Sequence, residues 1–145
     1  MMVDWRVKDF KPKHLKHIRV RTHDQGEMIS SWKEIAKKSI AYSFFNEKGR
    51  FVFCGGILIH HPGFGEGWVL CSEEVKYYPI TVFKFTKMYL NRIIKDNNLY
   101  RVQVTTRSNW PQAQRFVRML GFTPEGILRK YGPDKSDYKM YARIE

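Results

Sequence analysis

Three carboxylates and two histidine pairs are the residues whose types and spacing could do chemistry. Glu66 precedes the apolar run Trp68-Val69-Leu70-Cys71, and Glu73-Glu74 follow it. A carboxylate becomes a useful general base when burial raises its pKa. Adjacent carboxylates are equally the composition of a solvated face, so Glu73 and Glu74 carry both readings. His14 and His17 stand i, i+3 and could share one face of a helix, and His60 and His61 are neighbours. A structural zinc site takes four ligands. No cysteine or carboxylate falls at a supporting spacing, so no metal is expected. His61 reads as a solvated loop residue. Cys54 and Cys71 are too few for a disulfide scaffold and read as free, buried thiols in a reducing compartment. Cys71 has no His–Asp pattern for nucleophilic catalysis.

The elements that must position these residues follow from periodicity. Trp5 to Phe10 reads as a first strand, stopped at Lys11-Pro12. Lys13 to Val20 reads as a short helix with Leu15 and Ile18 inward. Ser31-Trp32-Lys33-Glu34 has the spacing of a capping box and would start a helix with Trp32, Ile35, Ala36 and Ile40 on its apolar face. Ala41 to Phe45 and Phe51 to His60 read as a hairpin turned at Asn46-Glu47-Lys48-Gly49. Residues 61–67 form a glycine-rich loop, and Trp68 to Cys71 a short buried strand. Pro79 to Lys95 is the longest helix. Its polar stripe is Thr81, Lys84, Lys87, Asn91 and Lys95, and Ile80, Phe83, Leu90 and Ile94 belong to the side that packs.

The last third is the best specified. A strand begins at Arg101. A helix follows with Ala113, Phe116, Val117 and Leu120 at i, i+3, i+4, i+7. Pro111 suits its first turn, and Gly121 sits where a left-handed cap belongs, with Phe122 folding back. Two strands then return. The whole order is β-α-α-β-β-β-α-β-α-β-β, an α/β (α+β) chain forming one domain over residues 1–145.

Composition bounds the partners. The 145 residues are 43% hydrophobic and 15% aromatic, as in a globular chain. No apolar run reaches the ~18 residues of a membrane span and no signal segment opens the chain, so a soluble, cytoplasmic protein without a membrane partner is expected. Twenty-six Lys+Arg against fourteen Asp+Glu give +12, which favours a polyanionic partner such as nucleic acid or a phosphorylated cofactor. No sequence-reading nucleic-acid motif is present, so any such binding would be non-specific.

The tail Asn109-Trp110-Pro111 through Leu120-Gly121-Phe122, Glu125-Gly126, Leu128-Arg129 and Tyr138 to Ala142 resembles the C-terminal half of the GNAT superfamily of acyl-CoA-dependent N-acyltransferases. It is also similar to phage-encoded GNAT-like proteins, including an internal virion protein of short-tailed coliphages, which would place the chain in a host cytoplasm or a virion. The order of elements agrees with the family over essentially the whole chain. The resemblance implies a mixed, mainly antiparallel twisted sheet with flanking helices, acetyl-CoA as cofactor and an amine acceptor.

By the same resemblance the coenzyme's arm lies along the fourth strand, making Leu70 and Ser72 contact residues. The family's Gln/Arg-x-x-Gly-x-Gly/Ala phosphate loop falls on Lys76-Tyr77-Tyr78-Pro79-Ile80-Thr81, so Lys76, Tyr78, Ile80 and Thr81 are implied at the pyrophosphate. Both glycine positions differ. Pro79 removes an N–H and Thr81 adds a branched side chain, which equally describes an ordinary proline-started helix. Asn109 resembles the family's coenzyme-contacting asparagine and is as readily a turn residue. The family's tyrosine acid falls on Val117. Glu73 and Glu74 are the implied candidates for the base. Two functions follow: an acetyl-CoA-dependent N-acetyltransferase, weakened or degenerate, or a non-catalytic virion or host-interaction protein whose basic surface contacts nucleic acid.

Overall fold

The computed structural model describes residues 4–18 and 34–145. Seven strands form one sheet in the order β1-β2-β3-β4-β5-β7-β6. They are β1 (Arg6–Asp9), β2 (Ile40–Phe45), β3 (Phe51–His61), β4 (Phe64–Cys71), β5 (Arg101–Arg107), β6 (Thr123–Leu128) and β7 (Tyr138–Ile144). Helix α1 (Pro79–Asp96) joins β4 to β5, and α2 (Pro111–Met119) joins β5 to β6. All neighbouring strands are antiparallel except β4 and β5, which are parallel. This is the mixed, mainly antiparallel sheet that the sequence implied.

Helices α1 and α2 cover one face, and residues 34–37 form a further helical turn. Ile57, Val102 and Tyr141 of the sheet meet Ile93 and Ile94 of α1 and Val117 of α2 in one apolar cluster. On the opposite face Trp68, Cys54 and Phe51 pack with Leu15 and Ala36. A third cluster, with Phe44 stacked on Phe53 at 4.2 Å, fills the β1–β3 end against Val82 and Phe85 of α1.

The α2 terminus forms as its spacing predicts. Gly121 has φ +97°, its N–H donates to Arg118 at 3.0 Å, and the Phe122 N–H reaches back to Val117 at 3.1 Å. That pair of bonds is a Schellman cap, and Phe122 is 3% exposed beneath it.

Several expectations change. The segment read as a helix from Lys13 is a 3-10 helix, Pro12–His17, although Leu15 is buried as expected. The Ser31 capping box and Trp32 lie outside the described residues, as does the end of the first helix at Arg19 and Val20. Ile40 belongs to β2, not to a helix face. The glycine-rich stretch is mostly strand: β4 begins at Phe64, and only Pro62-Gly63 turn. Glycine here makes room, since a Cβ on Gly65 would stand 2.4 Å from Ile57 Cγ2. Within β4, Val69 is 38% exposed and Cys71 half-buried, so the run is not uniformly buried. Ile80 is 69% exposed. It stands four and seven residues before Lys84 and Lys87, so the spacing that builds the polar stripe puts Ile80 on it.

Candidate functional site

The sheet parts along its middle. β4 and β5 pair only at Phe64↔Arg101, Gly65↔Val102 and Glu66↔Gln103. Beyond that last rung β4 stays on β3 as far as Cys71, and β5 stays on β7 as far as Arg107. Each strand follows its antiparallel partner, and the facing edges separate. An unpaired strand edge presents N–H and C=O groups that an extended ligand can use. No strand of the described chain lies between the two edges.

At the vertex, Glu66 and Gln103 share a face. Glu66 is two residues from Trp68, which packs on the side away from α1 and α2, and alternation puts both on that side. Glu66 Oε1 lies 3.1 Å from His60 Nε2. Gln103 Oε1 accepts from Arg101 Nη2 at 3.1 Å, and the same guanidinium holds Glu125 with contacts of 2.7 and 3.1 Å. That charged hydrogen bond raises the Arg101 pKa and lowers that of Glu125. Burial first, and then the Glu66 charge, raise the pKa of the Tyr131 phenol. The vertex therefore has a polar floor carrying a carboxylate next to an imidazole. Sequence reading placed Glu66 just before a strand; alternation of Glu66, Trp68 and Leu70 was the signal for its position.

The start of α1 offers donors. Pro79 occupies the first helical position, and the Val82 N–H makes the first helical bond, to Tyr78 O at 2.9 Å. Ile80 and Thr81 then have N–H groups without an intrahelical acceptor, at the positive end of the helix dipole. Thr81 is half-buried and Lys76 exposed, with its Nζ 5.1 Å from the Tyr77 ring centroid. Tyr78 is turned elsewhere: its hydroxyl donates to Glu47 at 3.3 Å and accepts from Asn46 Nδ2 at 3.3 Å.

At the far end of β4, Leu70 packs into the cluster of Trp68 and Leu15. Ser72 is 6% exposed. Its N–H donates to Val52 O at 2.9 Å, and its Oγ lies 2.9 and 2.8 Å from Phe51 O and Val52 O. The same oxygen accepts from Glu74 N, so Ser72 caps the short 3-10 turn Glu73–Tyr77. Glu74 pairs with Arg50 at 3.2 Å, and Glu73 is exposed beside it. Both line an open hollow of about 380 Å³ with His17, Gly49 and Arg50. This hollow lies at the β2–β3 turn, whereas the vertex at Glu66 is six residues before Ser72, which lines the hollow, roughly 20 Å away.

On the other wall, Thr106 Oγ1, Ser108 Oγ and Tyr141 OH are buried with no hydrogen-bond partner among the described residues. Asn109 is exposed in the turn before α2, and Trp110 is the capping residue. Gln114, unremarked in the sequence, ties the turn down through Nε2 to Arg107 O at 3.1 Å and Ser108 O at 2.8 Å. Among the described residues no group of three or more His, Cys, Asp or Glu side chains is arranged to hold a metal. No helix among them is long and apolar enough to cross a membrane.

Solved structures share this architecture from end to end. A ribosomal-protein-S5-alanine acetyltransferase from Vibrio fischeri superposes with a TM-score of 0.73 at 15% identity, over 99% of this chain and 94% of that one. An acetyltransferase of the GNAT family from Bacillus anthracis gives 0.71 at 13%, over 99% and 96%. The chain has the GNAT fold. A variant of spermidine N-acetyltransferase from Vibrio cholerae gives 0.71 at 11%, over 96% and 94%. No protein-family model and no curated protein matches the sequence. The β4–β5 cleft and the start of α1 are thus features of a GNAT fold carried by a distant sequence.

Proposed function

We propose that this protein is an acyl-CoA-dependent N-acyltransferase, with acetyl-CoA as the donor and an amine as the acceptor. One observation carries the reading: β4 and β5 part after the Glu66–Gln103 rung. The cleft suits the amide-bearing arm of a coenzyme, which would bridge the free edges of 67–71 and 104–107. The buried, partnerless hydroxyls of Thr106 and Tyr141 suit a polar ligand on the helix side. The Ile80 and Thr81 amides suit a pyrophosphate, with Lys76 and Lys84 adding charge. Leu70 contributes backbone on the cleft edge. Ser72 acts beneath the edge, since its N–H and hydroxyl are engaged by β3. Tyr78 supports the turn rather than reaching a phosphate, and Asn109 stands at the mouth.

When bound, acetyl-CoA supplies the activated acyl group. The chain's residues orient that group and take the proton that the amine must lose. Glu66 stands at the vertex and His60 is within hydrogen-bond distance, so Glu66 would take the amine proton and pass it through His60 to solvent, and solvent would return a proton to the thiolate released as the C–S bond breaks. Glu73 and Glu74 sit in the separate hollow and serve the β4–α1 turn.

Calorimetric titration with acetyl-CoA tests this, with saturable binding at or below millimolar coenzyme expected; heat indistinguishable from buffer at millimolar coenzyme would sink it. The second reading, a non-catalytic virion or interaction protein on the same fold, is favoured by Pro79 and Thr81. It requires that failure.

A further inference from the structure

Charge is distributed unevenly between the helix layer and the rest of the molecule. α1 and α2 carry six cations (Lys84, Lys87, Arg92, Lys95, Arg115 and Arg118) against one carboxylate, Asp96. All six cations are exposed. Four carboxylates of the strands and turns are paired with arginines outside the helices: Arg50–Glu74, Arg101–Glu125, Arg107–Asp134 and Arg143–Glu145. Among the described residues no ion pair involves either helix, so this layer keeps its charge.

The cations are also in line. Lys84, Lys87, Asn91 and Lys95 follow at i, i+3, i+7 and i+11 and form one stripe. The helical rise separates them by about 4.5, 6 and 6 Å along the axis. Arg92 flanks the stripe, its guanidinium 4.6 Å from the Tyr89 ring centroid. Exposed aromatic rings stand at the start of each helix, Tyr77 at 66% and Trp110 at 49% exposure. A track of unpaired cations, with exposed rings at the start of the helices that carry it, is the equipment for single-stranded nucleic acid, where phosphates take the charge and bases stack.

We propose that the α1–α2 face binds single-stranded nucleic acid without sequence preference, with Lys84, Lys87 and Lys95 contacting its phosphates. The stripe is longer than a coenzyme's phosphates would need: Lys95 is fourteen residues past Thr81, on the order of 20 Å along the axis. The inference does not depend on acyl transfer.

The test is fluorescence anisotropy of a labelled oligouridine about 20 nucleotides long, with the full chain, across ~50 to ~200 mM salt. Affinity should fall log-linearly with salt, with a slope of about −2 for three lysine contacts at ~0.7 each. Lys87→Glu with Lys95→Glu should weaken binding at least about tenfold and flatten the slope by roughly 1.4. The exposed pair Lys13→Glu with Lys16→Glu, which changes net charge equally, should leave the slope unchanged. Circular dichroism confirms folding of both, and Lys87→Gln with Lys95→Gln repeats the test with milder changes. Four results each overturn the proposal: no binding at low salt, equal losses in the two charge-reversed pairs, complete displacement of the oligomer by acetyl-CoA, or tighter binding to phosphatidylserine vesicles than to the oligomer.

Discussion

The carbonyl of Gly63 accepts hydrogen bonds from the N–H groups of both Tyr100, at 2.8 Å, and Arg101, at 3.1 Å. The tip of the β3–β4 hairpin is thereby clamped to the start of β5, just before the parallel β4–β5 rungs. Gly63 has φ +92°, and a Cβ there would lie 1.9 Å from Tyr100 Cε2. Gly63→Ala should therefore cost about 2–4 kcal/mol from left-handed strain and overpacking together, read as a lower urea midpoint. Tyr100→Ala in that background should recover the steric part and leave the backbone part. No recovery would mean that the ring is not the obstacle.

Thr81→Glu places a negative charge beside the amides proposed to meet the pyrophosphate. Acetyl-CoA affinity should drop by at least about tenfold, since even one charge-assisted hydrogen bond is worth that much. Calorimetry with wild type and variant side by side reads it. An unchanged dissociation constant would place the phosphates somewhere other than the start of α1.

Ser72→Ala separates support from contact. Its hydroxyl reaches Phe51 O and Val52 O and caps Glu74 N, so its loss should reduce stability by about 1–2 kcal/mol. The coenzyme dissociation constant, measured well below the melting temperature, should hold. A large loss of affinity at normal stability would instead make Ser72 a direct contact.

His14 makes stability depend on pH. Its ring is 7% exposed, and Nδ1 meets Ser43 Oγ at 2.7 Å and the Lys11 N–H at 3.2 Å. Burial first, and then the charges of Lys13, His17, Lys11 and Lys8, lower its pKa below 6.5. The unfolded chain thus binds this proton more readily than the folded one. The contribution is complete above pH 6.5 and is lost as pH falls through the folded pKa. Urea midpoints should decline from neutral toward acid, and His14→Gln should decline less over that interval. Parallel curves would remove His14 as the cause.

Periodic residues made most of the fold legible. Ala113, Phe116, Val117 and Leu120 place α2, and Gly121 ends it, because each signal is local. The site was harder to read, for reasons visible at particular residues. Gly65 and Gly67 look like loop residues, yet close packing against Ile57 and Val104 is what demands them, and that demand comes from other strands. Glu66 consequently looked like a residue outside β4. Glu73 and Glu74 drew notice by adjacency, although their partner Arg50 is remote in sequence. Ile80 is apolar, but its angular position on α1 decides its exposure.

Three rungs hold a four-stranded plate, β1 to β4, against a three-stranded plate, β5 to β6. With so few bonds across it, this seam is where the sheet is mechanically weakest. A molecule lying in the cleft and bonded to both edges acts as a missing strand, joining the two plates into one cooperative unit. Amide exchange along 67–71 and 104–107 should slow together on binding, and the thermal transition should sharpen as it rises.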